Sequence, residues 1–485
     1  MKYTSALIAM LLCAVLGGRE SQAQSNGAWS DRFGVDNGLN GDVYAIAIDD
    51  SGGVYVGGNF TQAGLVQANR VARWTGRAWD TLGGGFNDAV YALALSPAGE
   101  LYAGGRFTVA DGDSANRIAR WTGERWEALG EGIRHSEDPG FEANVYALAV
   151  DTQGLVYVGG DFTEAGDQSA RGIATWDGEV WQELGGGVDG FGCIDSSLDD
   201  VYAIDISVTG AVYVGGNFEE AGGVAVPGIA RWTGSEWDAI GSWEYFNFCP
   251  VTVAVAVVDE EVYVGGSFIE NPGQPALHIA KWTGTAWEPL GEGVQGGNRL
   301  VHAIGAGNSG VFVGGRFLEA GNKTVNRIAK WTGDQWEALG SGIASPGSVH
   351  AIGIHGSDVY VGGEGITEAG DQPSFGIALW QNVQSSPVER LPEDYTLSVD
   401  FDTSYPNPFK EKTTIVFSIP SGLHAAVKLE VFNVLGRRTA TLIDAVLAPG
   451  EHRVRWTAGG LPGGVYMLRL QVGQSVRTRT IIKAP

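Results

Sequence analysis

Seven copies of one phrase run through this chain, and six of them carry two tryptophans five residues apart. The first of each pair is Trp74, Trp121, Trp176, Trp232, Trp282, Trp331 and Trp380. The second is Trp79, Trp126, Trp181, Trp237, Trp287 and Trp336, and Trp380 has no such follower. The missing partner stands at the other end of the array, where Ala28-Trp29-Ser30 matches Ala78-Trp79-Asp80. An array whose last unit is completed by its first strand is a closed ring. A solenoid would instead need polar caps at both ends.

The copies begin at Val43, Val90, Val145, Val201, Val253, Val301 and Val349, a spacing of about 50 residues that points to a propeller or array. Each copy holds four short apolar segments with strand alternation, such as Val54-Tyr55-Val56, separated by Gly-rich turns. The expected fold is all-β: a seven-bladed β-propeller over 24–382, closed by its N-terminal strand, then a small immunoglobulin-like β-sandwich. A two-residue turn at Gly76-Arg77 sets Trp74 opposite Trp79 and Arg73 opposite Asp80. The same register pairs Arg120 with Glu127, Arg231 with Asp238, Lys281 with Glu288 and Lys330 with Glu337. Thr175 then faces Gln182, so base and acid are lost together. The repeated Gly57-Gly58 pair implies close approach by another backbone or room for a neighbouring ring.

The net charge of −25 is unevenly spread. Residues 405–485 carry 11 basic and 4 acidic side chains, leaving 20 against 52 for the rest. The sign change marks a domain boundary, with 383–404 as a linker and the start of the sorting region. The acidic part excludes nucleic-acid binding, which needs a cationic footprint. Lys2, the apolar run from Ala6 to Leu16 and Ser21-Gln22-Ala23 read as a signal peptide over 1–23, and no later segment is long enough to span a membrane. Of the remaining cysteines, Cys193 and Cys249 fall in corresponding stretches of consecutive repeats. A disulfide between them is expected, with two independent loop cysteines as the alternative.

Variable loops on a rigid scaffold are where binding concentrates. Here they are the links between copies and the second-to-third-strand loops, which share one face. Trp243, Tyr245, Phe246 and Phe248 stand outside the repeat pattern and are candidate ligand-binding aromatics, with a local packing plug as the alternative. His302 and His350 replace the tyrosine of the first strand in two adjacent copies. A shared metal would need a third ligand, so packing is expected, with no metal and no cofactor. Asp111-Gly112-Asp113 lacks the rest of a calcium loop. Glu164, Glu220, Glu319 and Glu368 recur at one repeat position, as solvated or structural acids do.

The repeats resemble the kelch-like propellers of secreted bacterial proteins through the Val-Gly-Gly-x-Phe strand and Asn116 to Gly123. The C-terminal stretch is similar to the type A sorting domain of the type IX secretion system. The matching residues are Leu391-Pro392, Tyr405-Pro406-Asn407-Pro408-Phe409, Val431 to Arg437, Gly464-Val465-Tyr466 and Thr480 to Lys483. That resemblance implies export to the cell surface or beyond, with the secretion machinery as a partner. The expected function is a monomeric, non-catalytic surface or secreted propeller binding a glycan or protein. A polysaccharide-acting hydrolase or lyase and a structural surface protein are the alternatives.

Overall fold

The computed structural model describes residues 27–135, 142–190, 200–241, 246–258, 260–270, 278–297, 300–307, 310–381, 401–405, 407–419, 425–433, 437–447, 450–472 and 475–484. The chain divides into two compact units, Met1–Gln384 and Ser385–Pro485. The signal-peptide and linker segments lie outside the described residues, apart from the strand at 401–405. No helix among the described residues is long and apolar enough to cross a membrane.

The first unit is all-β and propeller-like. Among its described residues are seven four-stranded antiparallel sheets. The first consists of Asp42–Ile48, Val54–Asn59, Val71–Trp74 and Trp79–Thr81 in that order. Six sheets draw their four strands from a single repeat. The seventh combines Ser348–His355, Asp358–Glu364 and Ile377–Gln381 with Ala28–Trp29 from the far end of the unit, in the register Trp29 to Trp380. The other Trp pairs also lie opposite each other, as do Arg73 and Asp80, and Thr175 and Gln182. A two-residue turn permits no other register.

The second strand of each sheet is packed on both faces, so Val156–Asp161 is buried throughout. Its glycine pair has two separate causes. A Cβ on Gly57 would lie 2.6 Å from Val90 of the next sheet. The same clash links Gly104 to Val145, Gly159 to Val201, Gly265 to Val301, Gly314 to Val349 and Gly362 to Val43. A β-branched side chain of the neighbour, rather than an aromatic ring, claims that space. The second glycine faces backbone, with Gly58 only 2.0 Å from the Asp42 carbonyl by the same construction. Gly215 of the fourth sheet meets Thr252 of the fifth, so Thr252 rather than Val253 occupies the first-strand valine position.

Tryptophan fastens sheet to sheet. Paired rings lie 5.1 to 5.4 Å apart. Except for Trp79, which donates to Asn37 O at 2.8 Å, the second indole of each pair donates to a carbonyl just beyond the preceding sheet's last strand: Trp126 to Leu82 at 3.0 Å, Trp181 to Leu129 at 2.9 Å and Trp336 to Leu290 at 2.9 Å. Trp29 makes the same bond to Leu339 at 2.8 Å. A buried indole N–H needs such an acceptor. The base–acid pairs differ in part from the sequence expectation. Arg231 bonds Asp238 at 2.6 Å, whereas Arg73 turns to Asp49 at 2.8 Å.

In the second unit, Phe401–Tyr405, Lys412–Ile419 and Gly450–Thr457 form one sheet. Arg438–Leu447, Ala425–Asn433, Gly464–Val472 and Ser475–Lys483 form the other. Ile415, Phe417 and Trp456 of one share a buried core with Leu429, Val431, Leu468 and Leu470 of the other. Arg438–Leu447 pairs irregularly with Ala425–Asn433. Register shifts in its pairing break its alternation, and it has a sheet neighbour on one side only.

Candidate functional site

In every sheet of the first unit, the register between first and second strands slips at an equivalent position. The slips fall between Val43 and Ala45, Val90 and Ala92, Val145 and Ala147, Val201 and Ala203, Thr252 and Ala254, Val301 and Ala303, and Val349 and Ala351. The extra residues are Tyr44, Tyr91, Tyr146, Tyr202, Val253, His302 and His350. A bulge re-aims the side chain it inserts. Here six of the seven side chains line one channel of about 200 Å³ to which the first strands of all seven sheets contribute.

The rings follow one another around this channel. Tyr44 and Tyr91 are 5.5 Å apart, Tyr91 and Tyr146 5.6 Å, and Tyr146 and Tyr202 5.5 Å. His302 stacks on His350 at 4.5 Å, and His350 meets Tyr44 edge-on at 5.8 Å. Val253 interrupts the series between Tyr202 and His302. The histidines thus fill the tyrosine position by stacking. Burial, the second imidazole and Arg316 push His302 down to about 3, and burial lowers His350 as well, so both are neutral at pH 7. No group of three metal-ligating side chains occurs among the described residues.

A polar rim surrounds one mouth. It comes from the residues just before the first strand and just after the glycine pair, so it opens on the face that carries the variable loops. Tyr202 donates to Asp200 at 2.6 Å, Tyr146 to Asp161 at 3.0 Å and Tyr44 to Asp42 at 3.4 Å. Asn144 also donates to Asp161 through its amide, at 3.0 Å. Arg106 forks onto Asp88 at 3.1 and 3.2 Å, and Arg316 meets Glu364 at 2.6 Å. Asp161 and Asp200 are buried and have no cationic side chain among their described partners. Burial raises both, and Asp161 adds to the shift that brings Asp200 to about 6. Burial and Asp42 push Tyr44 up to about 12, so its hydroxyl stays protonated and donates. The mouth therefore offers aromatic faces, anionic acceptors and two compensated arginines.

Trp243, Tyr245 and Cys193 lie outside the described residues. Phe246, Phe248 and Cys249 fall in the strand Phe246–Val258, where Phe246 pairs with Glu270, so the structure places them in a strand rather than a loop. Glu164, Glu220, Glu319 and Glu368 each sit in the short hairpin of a different sheet. Asp111 serves the backbone, accepting from Gly84 at 2.5 Å and Trp126 at 2.7 Å. The rim was missed by sequence reasoning although a signal exists. The residue after the glycine pair reads Asn59, Arg106, Asp161, Asn217, Ser267, Arg316 and Glu364, polar in all seven copies.

In the second unit, the motif around Asn407 ties the start of the domain to its end. Ile482 donates its backbone N–H to Asn407 Oδ1 at 2.8 Å, Phe409 donates to Ile482 O at 3.0 Å, and Ala484 to Phe409 O at 2.7 Å. Phe409 also pairs with Lys483 in a parallel bridge and packs on Trp456 at 5.3 Å. Tyr466 donates to Pro462 O at 2.8 Å, two residues before Gly464. Pro406 lies outside the described residues, and Pro408 follows Asn407 through a cis bond.

Comparison with known proteins adds to this geometry. No curated protein matches the chain. One similar solved structure is PorZ, described as an essential bacterial surface component of the type-IX secretion system of Porphyromonas gingivalis. It is 15% identical, with a TM-score of 0.44, over 92% of this chain and 60% of that one. Another is a protein of unknown function from Bacteroides thetaiotaomicron VPI-5482, at 10% identity and a TM-score of 0.37, over 74% of this chain and 75% of that one. This chain thus spans about 60% of the length of PorZ. Residues 403–484 match the secretion system C-terminal sorting domain, and this domain marks the chain for type IX export and attachment at the cell surface.

Proposed function

We propose that this is a kelch-like, seven-bladed propeller, closed by its N-terminal strand and carried to the cell surface to bind a glycan at the rimmed mouth of its channel. The observation that carries the reading is the row of bulged aromatic residues opening on the loop-bearing face. Aromatic faces ringed by carboxylates and amides suit sugars, which stack through C–H faces and hydrogen-bond through hydroxyls. Closure is supported by the Trp29 bond to Leu339 and by the Asp42 carboxylate accepting from Gly365 at 3.1 Å, a contact between the two ends of the array. The test is retention on an immobilised glycan panel. Wild-type protein is expected to be retained by a subset, and Tyr146→Ala or Tyr202→Ala to abolish it. Retention that both substitutions leave intact refutes the channel as the seat.

One observation favours the hydrolase or lyase reading. Asp200, pushed up to about 6 by burial and by Asp161, has the character of a proton donor near neutral pH. Polysaccharide cleavage lost in Asp200→Asn, with binding retained, would select that reading over simple binding.

A further inference from the structure

A three-part arrangement recurs on the outer part of three sheets. A base on the third strand meets an acid from the first-to-second-strand turn, and a second-strand tyrosine donates to the same acid. Arg73 meets Asp49 at 2.8 Å, with Tyr55 at 3.3 Å. Arg120 meets Glu100 at 3.1 Å, with Tyr102 at 3.2 Å. Lys281 meets Glu261 at 2.9 Å, with Tyr263 at 2.7 Å.

The sixth sheet keeps only the base. Lys330 stands opposite Phe312 as Lys281 stands opposite Tyr263. Gly310 precedes the second strand's valine where Glu261 does in the fifth sheet. Acid and hydroxyl are lost together, yet the lysine stays. Lys330 retains Glu337 at 3.8 Å and holds its ammonium 5.9 Å from the Phe312 ring centroid. Arg231 also lacks a turn acid, but Asp238 meets it at 2.6 Å.

A groove of about 430 Å³ is lined by Tyr263, Gly307, Gly310, Lys330, Trp331 and Thr332. Gly310 has φ +121°, and a Cβ there would lie 2.7 Å from the Trp331 carbonyl. No side chain at that position can fill the groove without moving backbone. The ammonium of a half-buried lysine thus faces a groove of monosaccharide size, where its counterpart Lys281 faces a carboxylate.

We propose that this groove is a second binding site, separate from the channel, for a small organic carboxylate of hexuronate size. The ligand's carboxylate takes the place on Lys330 that Glu261 takes on Lys281, a charge-assisted contact in a partly desolvated setting. The experiment is saturation-transfer NMR titration of the full chain with D-glucuronate and, separately, glucose. Glucuronate is expected to bind saturably and glucose not to displace it. Lys330→Met is expected to weaken binding at least tenfold, whereas Lys330→Arg retains it and Lys281→Met leaves it unchanged. The arginine variant keeps the test decisive should the methionine variant fail to fold. Absence of saturable glucuronate binding, equal binding of glucose, loss in Lys330→Arg, or binding that survives Lys330→Met overturns the proposal.

Discussion

In the proposed ring Trp29 is the closing residue, and its removal has a calculable cost. It is buried, meets Trp380 edge-on at 5.3 Å and donates to Leu339 at 2.8 Å. Truncating a buried aromatic to alanine costs about 3–5 kcal/mol. Trp29→Phe keeps the ring but orphans the Leu339 carbonyl, for about 1–3 kcal/mol. Unfolding entropy is about 2.1 cal/mol/K per residue, so a unit of roughly 350 residues has about 0.7 kcal/mol/K. Trp29→Ala should therefore lower the melting temperature of the first unit by about 4–7 °C. Scanning calorimetry of the full chain, with Trp181→Ala as a matched interior control, measures this. Trp181 has the same geometry, with a 5.1 Å ring contact and a 2.9 Å bond to Leu129. If Trp29→Ala leaves the transition in place while Trp181→Ala lowers it, the N-terminal strand does not close the ring.

Three other outcomes follow from the packing and the electrostatics. Gly159→Ala puts a Cβ 2.3 Å from Val201 Cγ1 and should destabilise by about 1–3 kcal/mol; denaturant melts should show partial recovery in the double variant with Val201→Ala. Asp200 has its folded pKa raised from 3.8 to about 6, so the folded state binds the extra proton between those values. Its contribution to stability therefore falls as pH rises from about 4 to 6, and the penalty, on the order of 2–3 kcal/mol, is complete above that window. Asp200→Asn should remove the slope and be the more stable protein at pH 8, and lower stability there would refute the assignment. Phe409→Ala, at the buried junction with Trp456 and the last strand, should cost about 3–5 kcal/mol and unfold the second unit at growth temperature. Fractionation should then find the chain retained inside the cell, and normal surface delivery would show that export does not need the folded junction.

The Trp register was legible because a two-residue turn leaves one pairing open and because matched losses, such as Thr175 with Gln182, betray it. The phase of the fifth copy was not. Val251-Thr252-Val253-Ala254-Val255 is β-branched at both phases of the alternation, and only the glycine of the neighbouring sheet selects Thr252. The channel was hidden for a related reason. A strand of period two hides a one-residue bulge, since the extra residue shifts every later side chain without altering composition. Tyr44 and its counterparts therefore read as ordinary alternating residues until the pairing with Gly57 and Gly58 is known.

The same repetition explains why departures carry more information here than the pattern does. Each copy occupies an equivalent environment, so a position that changes alone has lost a constraint, while positions that change together have lost one shared contact. Tyr to His at residues 302 and 350 is a paired change: two stacked, neutral rings replace two phenols, and the neighbouring acid, Glu364, is held by Arg316 instead. Gly310 and Phe312 are another pair, but there the third member, Lys330, did not change with them. A half-buried lysine whose closest acid is Glu337 at 3.8 Å keeps much of its charge open to a ligand. Its retention is what separates the groove over the sixth sheet from an accident of drift, and the Lys330→Met and Lys330→Arg comparison bears on that distinction directly.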